Sequence, residues 1–259
     1  MQPVAEAVRL DLQGPLARIT LNRPDRLNAM NLAWIDGLNR AVDRLAEHPE
    51  VAVVVIRGAG RAFCAGLDLD MLEHEGMPPG FYAGQERALR QIELLDAISI
   101  AAIHGYCLGG GVQLAIACDL RVCADDAQLG LPAVNEGLFP GLAPYRLPRL
   151  VGRGAAARLV LSGERIGADE ALRLGLVDYV VPAAEFEAGL ERIVQTYLAA
   201  PRMAVIGSKQ LLRQADSDTW EQAYARSLPL LEACLASEDV AAARAARRTQ
   251  RTPRAARTE

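Results

Sequence analysis

Two glycine-rich segments carry the residues whose types and spacing could do chemistry. His104–Gly111 (HGYCLGGG) ends in three glycines that precede an apolar helical pattern. The first N–H groups of a helix have no partner within it and are aligned with its dipole. Cys64–Asp68 (CAGLD) could present another unpaired N–H group. Two opposed donors of this kind stabilise charge on a carbonyl oxygen, so the pair predicts an oxyanion hole. The alternative is that the glycines serve only close packing.

Other common site motifs do not occur in the sequence. Gly58 and Gly60 follow a β-branched run, but Phe63 occupies the place of the third glycine that a dinucleotide fingerprint needs. The triple glycine is not followed by the Lys-Ser/Thr of a phosphate-binding loop, and neither GxSxG nor HExxH is present. The only histidines are unpaired in sequence, which disfavours a zinc site or a Ser-His-Asp triad: His48, His74 and His104.

Five segments, in order along the chain, resemble the enoyl-CoA hydratase/isomerase (crotonase) family. They are LNRPDRLNAMN (21–31), RAFCAGLDL (61–69), HGYCLGGGVQLAIACDL (104–120), GLFPGLAPYRLPRLVG (137–152) and LSGERIGADEALRLGLVDYVVP (161–182). The resemblance is collinear from about residue 8 to residue 215. It implies an α/β fold, a crotonase-like spiral of ββα units with a C-terminal all-helical oligomerisation segment. It also implies an enzyme whose substrate is an acyl-CoA thioester, held as an enolate by two backbone N–H groups.

The resemblance further implies a role for individual residues. Carried over by position, the two oxyanion donors are the backbone N–H groups of Leu67 and Gly110. Coenzyme A is part of the substrate, so the family implies neither a separate cofactor nor a metal. In this family the protein backbone also contacts the CoA moiety. The corresponding positions in this sequence are Arg26, Leu27, Ala29, Ala65, Asp68 and Leu69.

The acid–base residues of the family are replaced in this sequence. Two glutamates that hold and activate water in the hydratases fall on Gln113 and Ala133, and an aspartate that some isomerases and hydrolases use falls on Gly141. Alanine cannot move a proton, and glutamine can orient water but is not a useful base. Losing one such group typically costs about 10²–10⁴-fold in rate. Standard hydration of an enoyl-CoA is therefore doubtful for this chain.

Glu136 is the nearest remaining carboxylate, three residues beyond Ala133. In a helical turn or tight loop it could face the site as a lone base. A surface or structural carboxylate is the alternative, and the sequence leaves both open. His104, Tyr82, Tyr106 and Tyr145 are other conceivable proton carriers, for which packing is the more ordinary role.

Three functions stay open at this stage. The first is a lyase or isomerase of the enoyl-CoA hydratase/isomerase type, in fatty acid metabolism. The second is a decarboxylase of a malonyl-type or polyketide-like thioester, which forms the enolate by losing CO₂ and needs no base. A neutral Gln113 would suit such a substrate, since it avoids repulsion between like charges. The third is a non-catalytic family member that binds CoA esters.

The elements that must position these residues alternate between strands and helices up to about residue 182, which predicts an α/β core. β-Branched and apolar runs predict buried strands over Val51–Arg57 and Ser99–His104, each just before a glycine-rich segment. Helical spacing predicts a helix over Asn31–Ala46, with Asn31 as its cap. From Pro201 onward the pattern is helical only.

These patterns predict two domains. Residues 1–197 would form the crotonase-like ββα core with the acyl-CoA site, and residues 198–259 a C-terminal helical trimerisation segment with an Arg-rich tail. The boundary rests on one Ala-Ala-Pro break at Ala199–Pro201. The family resemblance implies a homotrimer or a dimer of trimers, that is, a hexamer.

Composition narrows the class of protein. The chain has 259 residues, of which 51% are hydrophobic and 23% charged, as in typical globular domains. It contains neither an apolar run long enough to span a bilayer nor a signal-peptide pattern. Five cysteines without CxxC spacing indicate reduced thiols. We therefore expect a cytoplasmic protein with no membrane partner.

The charge distribution is uneven. Residues 241–259 carry six arginines and one glutamate, a balance of +5 that leaves −9 on the rest of the chain from a total of −4. The acidic body argues against a nucleic-acid partner. The arginines could contact the phosphates of CoA, since guanidinium suits phosphate geometry. A solvated terminus is the alternative.

Overall fold

Six strands form the main sheet of the protein. The computed structural model describes residues 6–251. The sheet order is β1–β2–β3–β4–β6–β9; β1 and β2 pair antiparallel around a turn at Gly14, and every other neighbouring pair is parallel. The bounds are β1 Val8–Gln13, β2 Leu16–Leu21, β3 Val53–Gly58, β4 Ile98–Ile103, β6 Leu120–Ala124 and β9 Tyr179–Val181.

A smaller sheet of three short strands lies apart from the main one. Its order is β5–β7–β8, with β5 and β7 parallel and β7 and β8 antiparallel. Each strand has three residues, too few to give the alternation by which a strand is predicted from sequence. All three strands were therefore not predicted, and they are β5 Tyr106–Leu108, β7 Gln128–Gly130 and β8 Arg165–Gly167.

Ten α-helices occur in the described chain. None of them combines the length and the apolar composition that crossing a bilayer requires. Three short 3-10 turns, Pro24–Arg26, Pro132–Glu136 and Ala183–Glu185, supplement them. The helices are α1 Leu32–Ala46, α2 Leu69–Glu75, α3 Phe81–Leu94, α4 Gly110–Ala117, α5 Ala143–Ser162, α6 Ala168–Leu174, α7 Phe186–Leu198, α8 Arg202–Gln214, α9 Trp220–Leu235 and α10 Glu238–Arg251.

The sequence patterns account for the starts of two helices. The predicted cap of α1 is confirmed, because Asn31 Oδ1 accepts a hydrogen bond of 3.0 Å from the N–H of Trp34. The predicted helix after the triple glycine starts at Gly110, two residues earlier than its apolar run. All eight residues of α4 are buried. A non-helical Gly152, with φ of 74°, breaks α5 into two parts.

The chain divides into two units between Leu198 and Ala199. The first contains both sheets. The second contains α8, α9 and α10, of which α8 and α9 pack against each other. Of the tail arginines, Arg254 and Arg257 lie outside the described residues.

The cysteines are all free thiols. Four are buried, and Cys234 is partly exposed. Burial raises the pKa of Cys64 to about 12 and that of Cys107 well above its usual value. Both thiols flank the glycine-rich segments, and their neutrality fits packing rather than nucleophilic chemistry.

A buried arginine ties the edge strand β9 to its neighbour. Arg121 on β6 is only 3% exposed. Its backbone N–H and its Nη2 each donate to Asp178 Oδ2 at 2.7 Å, and its Nη1 donates to the carbonyl of Cys118 at 3.0 Å. Asp178 immediately precedes β9 and so fixes the start of that strand.

We expect Asp178→Ala to lower the free energy of unfolding by about 3 kcal/mol, because it leaves a buried guanidinium without its counter-ion. Denaturant unfolding measures the change. Asp36→Ala, on an exposed position of α1, is the matched control and should change stability by less than about 0.5 kcal/mol. Equal effects of the two substitutions would refute the role given to Asp178.

Candidate active site

A cavity lies where two parallel strands end. β3 and β4 are adjacent and parallel, so the segments that follow them leave the sheet at the same edge. These segments contain Cys64–Asp68 and His104–Gly111. Beside them is a cavity of about 270 Å³, whose other walls come from α3 and from the 3-10 turn Pro132–Glu136. The topology thus brings together two motifs that lie some forty residues apart in sequence.

The first candidate donor is the backbone N–H of Leu67. The neighbouring backbone groups are used by Met30: Met30 N donates to Gly66 O at 2.7 Å, and Asp68 N donates to Met30 O at 3.0 Å. Because successive residues of an extended segment direct their N–H groups to opposite sides, the N–H of Leu67 faces away from Met30. It has no acceptor among residues 6–251, and Leu67 lines the cavity.

The second candidate donor is the backbone N–H of Gly110. Gly110 is the first residue of α4, so its N–H has no partner within the helix. The N–H of Gly109 is used by the carbonyl of Gly130 at 2.8 Å. Gly110 also lines the cavity, and its N–H finds no acceptor within the described chain. The dipole of α4 adds to the attraction for negative charge here.

Direct backbone contacts hold the two segments together. Cys64 N donates to Tyr106 O at 3.0 Å, and Leu108 N donates to Cys64 O at 2.9 Å. Glycine is required where they touch: a Cβ on Gly66 would lie 2.9 Å from Leu108 O, and one on Gly111 would lie 2.4 Å from Cys64 O. The close packing of these two segments and the unpaired N–H groups of Leu67 and Gly110 therefore arise together.

The residues predicted to contact CoA fall into three groups. Ala65 and Leu69 line the cavity, whereas Arg26 and Asp68 line a separate depression next to it. Leu27 and Ala29 line neither. The carbonyl of Leu27 accepts the N–H of Ala65 at 3.0 Å, and the carbonyl of Ala29 accepts from the guanidinium of Arg23. The first bond holds the segment that contains Leu27 against the donor loop, and the second lies within that segment.

Asp68 anchors the donor loop through its side chain. Its Oδ2 accepts from Arg23 Nη2 at 2.8 Å, Arg26 Nη2 lies 3.5 Å from its Oδ1, and its side chain caps α2 at the N–H of Met71. Burial by itself would raise the pKa of Asp68. The hydrogen bonds from Arg23 and Met71 and the charges of both arginines outweigh that effect and hold the pKa below its usual value. Asp68 is thus ionised and fixed one residue after the donor Leu67.

The positions of the family's acid–base residues also meet at the cavity. Gln113 and Ala133 line it. Gln113 is 4% exposed, and its Oε1 has no partner in the described part of the chain. A Cβ on Gly141 would lie 2.5 Å from that oxygen, and φ of Gly141 is +47°. Gln113 therefore occupies the space that an aspartate side chain at position 141 would need.

Glu136 lines the same cavity at the end of its 3-10 turn. Its side chain is exposed, and it forms no hydrogen bond or ion pair with any described residue. No other cavity-lining residue in the described chain carries a carboxylate. This placement matches the lone-base arrangement more closely than a structural ion pair.

Gln85 and Arg165 line the cavity and were missed by the sequence analysis. Gln85 lies on the buried stripe of α3 and is 1% exposed. The helical period of α3 assigns position 85 to the core, and a polar glutamine at a core position was the sequence signal that could have identified it. Arg165 lies on the short strand β8 and forms no ion pair with the described chain.

The structure places one of the other conceivable proton carriers at the cavity and three outside it. Tyr82 lines the cavity, and burial raises its pKa. His104 does not line it; its Nε2 lies 3.0 Å from the carbonyl oxygen of Gly60. Tyr106 and Tyr145 lie outside the cavity as well, each beneath an arginine side chain.

The chain is similar to known proteins over most of its length. Residues 11–253 match the family model described as enoyl-CoA hydratase/isomerase. The chain is 35% identical over 239 residues to the short-chain-enoyl-CoA hydratase of Clostridium acetobutylicum, covering 90% of each chain. It is 32% identical over 268 residues to the peroxisomal Delta(3,5)-Delta(2,4)-dienoyl-CoA isomerase of Arabidopsis thaliana, covering 97% of this chain and 96% of that one. A solved structure from Thermobifida fusca, in complex with CoA, superimposes with a TM-score of 0.83 at 35% identity, covering 90% of this chain and 94% of that one.

The charge of Asp68 should make stability depend on pH. Because its pKa is lower in the folded protein than in the unfolded chain, its ion pairs stabilise the fold above the unfolded value of about 4. That contribution is lost as pH falls through the folded value. Asp68→Asn keeps the helix cap and removes the charge, so it should be less stable than the wild type at neutral pH. Unfolding curves measured across this range should converge below about pH 4; a constant difference would contradict the ion-pair account.

Proposed function

Because this chain belongs to the enoyl-CoA hydratase/isomerase family, we propose that the N–H groups of Leu67 and Gly110 hold an acyl-CoA thioester as its enolate. One observation carries the proposal: two unpaired donors from separate loops line one cavity. Such donors stabilise the charge that develops on the thioester oxygen and need no reorganisation during the reaction. The CoA moiety is part of this substrate, so the proposed reaction needs no separate cofactor.

The reaction that suits this cavity best is a proton shift in an enoyl-CoA. Glu136 would remove a proton from carbon 2 of a 3-enoyl-CoA, and the electrons would move onto the thioester oxygen. The resulting dienolate would collapse as Glu136 returned the proton to carbon 4, which gives the 2-enoyl-CoA. One carboxylate is sufficient for this sequence, and Glu136 is the carboxylate among the described lining residues.

Hydration by the standard mechanism is less well supported. It uses two carboxylates to hold and activate water, and the corresponding positions carry Gln113 and Ala133. Both face the cavity, where Gln113 could orient a water molecule but could not take its proton. Glu136 would then have to act alone.

Decarboxylation is the second candidate, and Arg165 favours it. This guanidinium lines the cavity and has no carboxylate partner among residues 6–251. It could bind the carboxylate of a malonyl-type thioester. Loss of CO₂ would leave its electron pair on carbon 2 as the enolate, without any base. The third possibility, CoA-ester binding without turnover, has no observation in its favour beyond the missing glutamates.

We also propose that the protein assembles as a trimer or a dimer of trimers through its second unit. This unit exposes large apolar side chains that would be unusual on a monomer. The exposed set includes Leu212, Trp220, Tyr224, Leu228, Leu231 and Leu235.

Separate assays with 3-enoyl-CoA, crotonyl-CoA and methylmalonyl-CoA should show the conjugation shift as the fastest of the three reactions. Glu136→Gln should lower its kcat by about 10²–10⁴-fold with little change in KM, because it removes the base and keeps the shape. Glu47→Gln, on an exposed glutamate outside the cavity, should leave kcat unchanged.

Other outcomes of these assays would favour an alternative reaction or overturn the proposal. CO₂ release that survives Glu136→Gln but is lost in Arg165→Met would favour decarboxylation. Hydration at rates typical of the family would contradict the importance given to Gln113 and Ala133. Tight CoA-ester binding without turnover of any of the three substrates would overturn the enzymatic proposal.

For the assembly, Leu231→Glu should shift the sedimenting species toward the monomer, because it places a charge on the exposed apolar face of α9. Sedimentation velocity of the wild type and the variant measures this change. A wild-type protein that sediments as a monomer would refute the trimer.

A further inference from the structure

A buried arginine joins the first part of α5 to α3. Arg146 is 9% exposed. Its Nη1 donates to Glu86 Oε2 at 2.7 Å, and its Nε donates to Glu93 Oε1 at 2.5 Å. Burial by itself would lower the pKa of Arg146, but the hydrogen bonds and charges of the two carboxylates outweigh that effect and raise the pKa above its usual value. The guanidinium is therefore charged, and its two bonds hold α5 against two points of α3.

The segment just before α5 forms part of the cavity wall. Residues 137–142 connect the 3-10 turn Pro132–Glu136 to this helix, and three of them line the cavity: Leu138, Phe139 and Pro140. Within the described chain, their one hydrogen bond to a residue outside 133–146 runs from Leu142 N to Glu86 Oε1 at 3.4 Å. Hydrogen bonding therefore ties this wall segment to α3 at its α5 end.

Arg146 acts on the same point of the chain as this bond. It lies one helical turn after Leu142, and its backbone N–H donates to the carbonyl of Leu142 at 3.0 Å. Glu86 therefore accepts from both the guanidinium of Arg146 and the N–H of Leu142. The residue before Glu86 on α3 is Gln85, which lines the cavity. The contact thus joins two walls of the cavity, α3 and residues 137–142.

The candidate base lies next to this wall segment. Glu136 immediately precedes residue 137, and the turn that carries it is bonded to the segment by Leu138 N, which donates to Ala133 O at 2.9 Å. The side chain of Glu136 forms no hydrogen bond or ion pair with a described residue that would fix it. Its distance from the oxyanion donors therefore depends on where the wall segment lies.

We propose that Arg146 is a positioning residue for the candidate base. It does not line the cavity, so it touches no reacting atom. By holding α5 on α3, it fixes residues 137–142 and, through them, the distance of Glu136 from carbon 2 of the acyl group. The inference rests on the proposed function, and it gives a role to a residue outside the cavity. A purely structural Arg146 would change stability but not the kcat of the folded protein.

Arg146→Met removes the guanidinium and keeps an unbranched side chain. It should lower kcat for the conversion of 3-enoyl-CoA to 2-enoyl-CoA by about 10–100-fold, because a shift of about 1 Å at a reacting group can cost a factor of this size. KM should change by less than about twofold, since the substitution leaves the loop Cys64–Asp68 untouched. Arg149→Met makes the same change at an exposed position of α5 and should keep the wild-type kcat.

Fluorine NMR follows the wall segment without any turnover. The chain has four phenylalanines, and the one in the wall segment is Phe139, which is 69% exposed. In protein labelled with fluorophenylalanine, the wild type should give a single sharp Phe139 line, identified by its loss in Phe139→Leu. That line should shift or broaden in Arg146→Met and stay unchanged in Arg149→Met. The lines of the buried Phe63 and Phe186 show whether each variant is folded.

Glu86→Gln is a second variant if Arg146→Met does not fold. It keeps the pair between Arg146 and Glu93 but has one acceptor oxygen where Glu86 has two. Its kcat and its Phe139 line should change in the same direction as in Arg146→Met, by a smaller amount.

The results distinguish this inference from the proposed function. If the wild type converts 3-enoyl-CoA but the folded variants keep its kcat, Arg146 does not position the base and this inference alone is overturned. An unchanged Phe139 line in the folded variants overturns it as well. If the wild type converts no enoyl-CoA, the proposed function fails and the positioning role fails with it, whatever the fluorine spectrum shows.

Discussion

The close approach of two chain segments, Cys64–Leu67 and Tyr106–Gly111, is the constraint on which the candidate site depends. Backbone hydrogen bonds between Cys64 and its neighbours Tyr106 and Leu108 join the segments. Once joined, the N–H groups of Leu67 and Gly110 are left without acceptors in the described chain and face one cavity. Donors without a protein acceptor are available to a ligand oxygen on which negative charge develops. The contact that holds the fold at this edge therefore also produces the candidate oxyanion hole.

Strand pairing and the ion pairs of one buried carboxylate hold this contact in place. Parallel pairing of β3 and β4 delivers both segments to one edge of the sheet. Asp68, paired with Arg23 and Arg26, fixes the chain directly after Leu67. The rest of the cavity wall is largely apolar, so the few polar groups in it have few competing partners. Within that wall, one carboxylate and one exposed guanidinium favour isomerisation and decarboxylation, respectively, as candidate reactions.

The sequence predicted the parts of this arrangement that local patterns encode. Asn31 as a helix cap, the α/β alternation and the family resemblance are all confirmed. Leu67 and Gly110 were predicted as donors, and they do line one cavity, although their catalytic role is still a prediction. The three-residue strands were missed because they are too short to show a period. Gln85 was missed because only the folded chain brings α3 against Gly110. The close approach of Gln113 Oε1 to Gly141 likewise depends on a contact that no local pattern contains.

Two backbone N–H groups that polarise a thioester carbonyl are the core of the proposed function. Isotope-edited infrared spectroscopy of bound butyryl-CoA, labelled with ¹³C at the thioester carbon, observes that carbonyl itself. We expect its stretch to shift to lower frequency on binding, because two hydrogen bonds weaken the C=O bond. A bound ligand whose carbonyl frequency equals that of the free thioester in water, or lies above it, would refute the oxyanion hole.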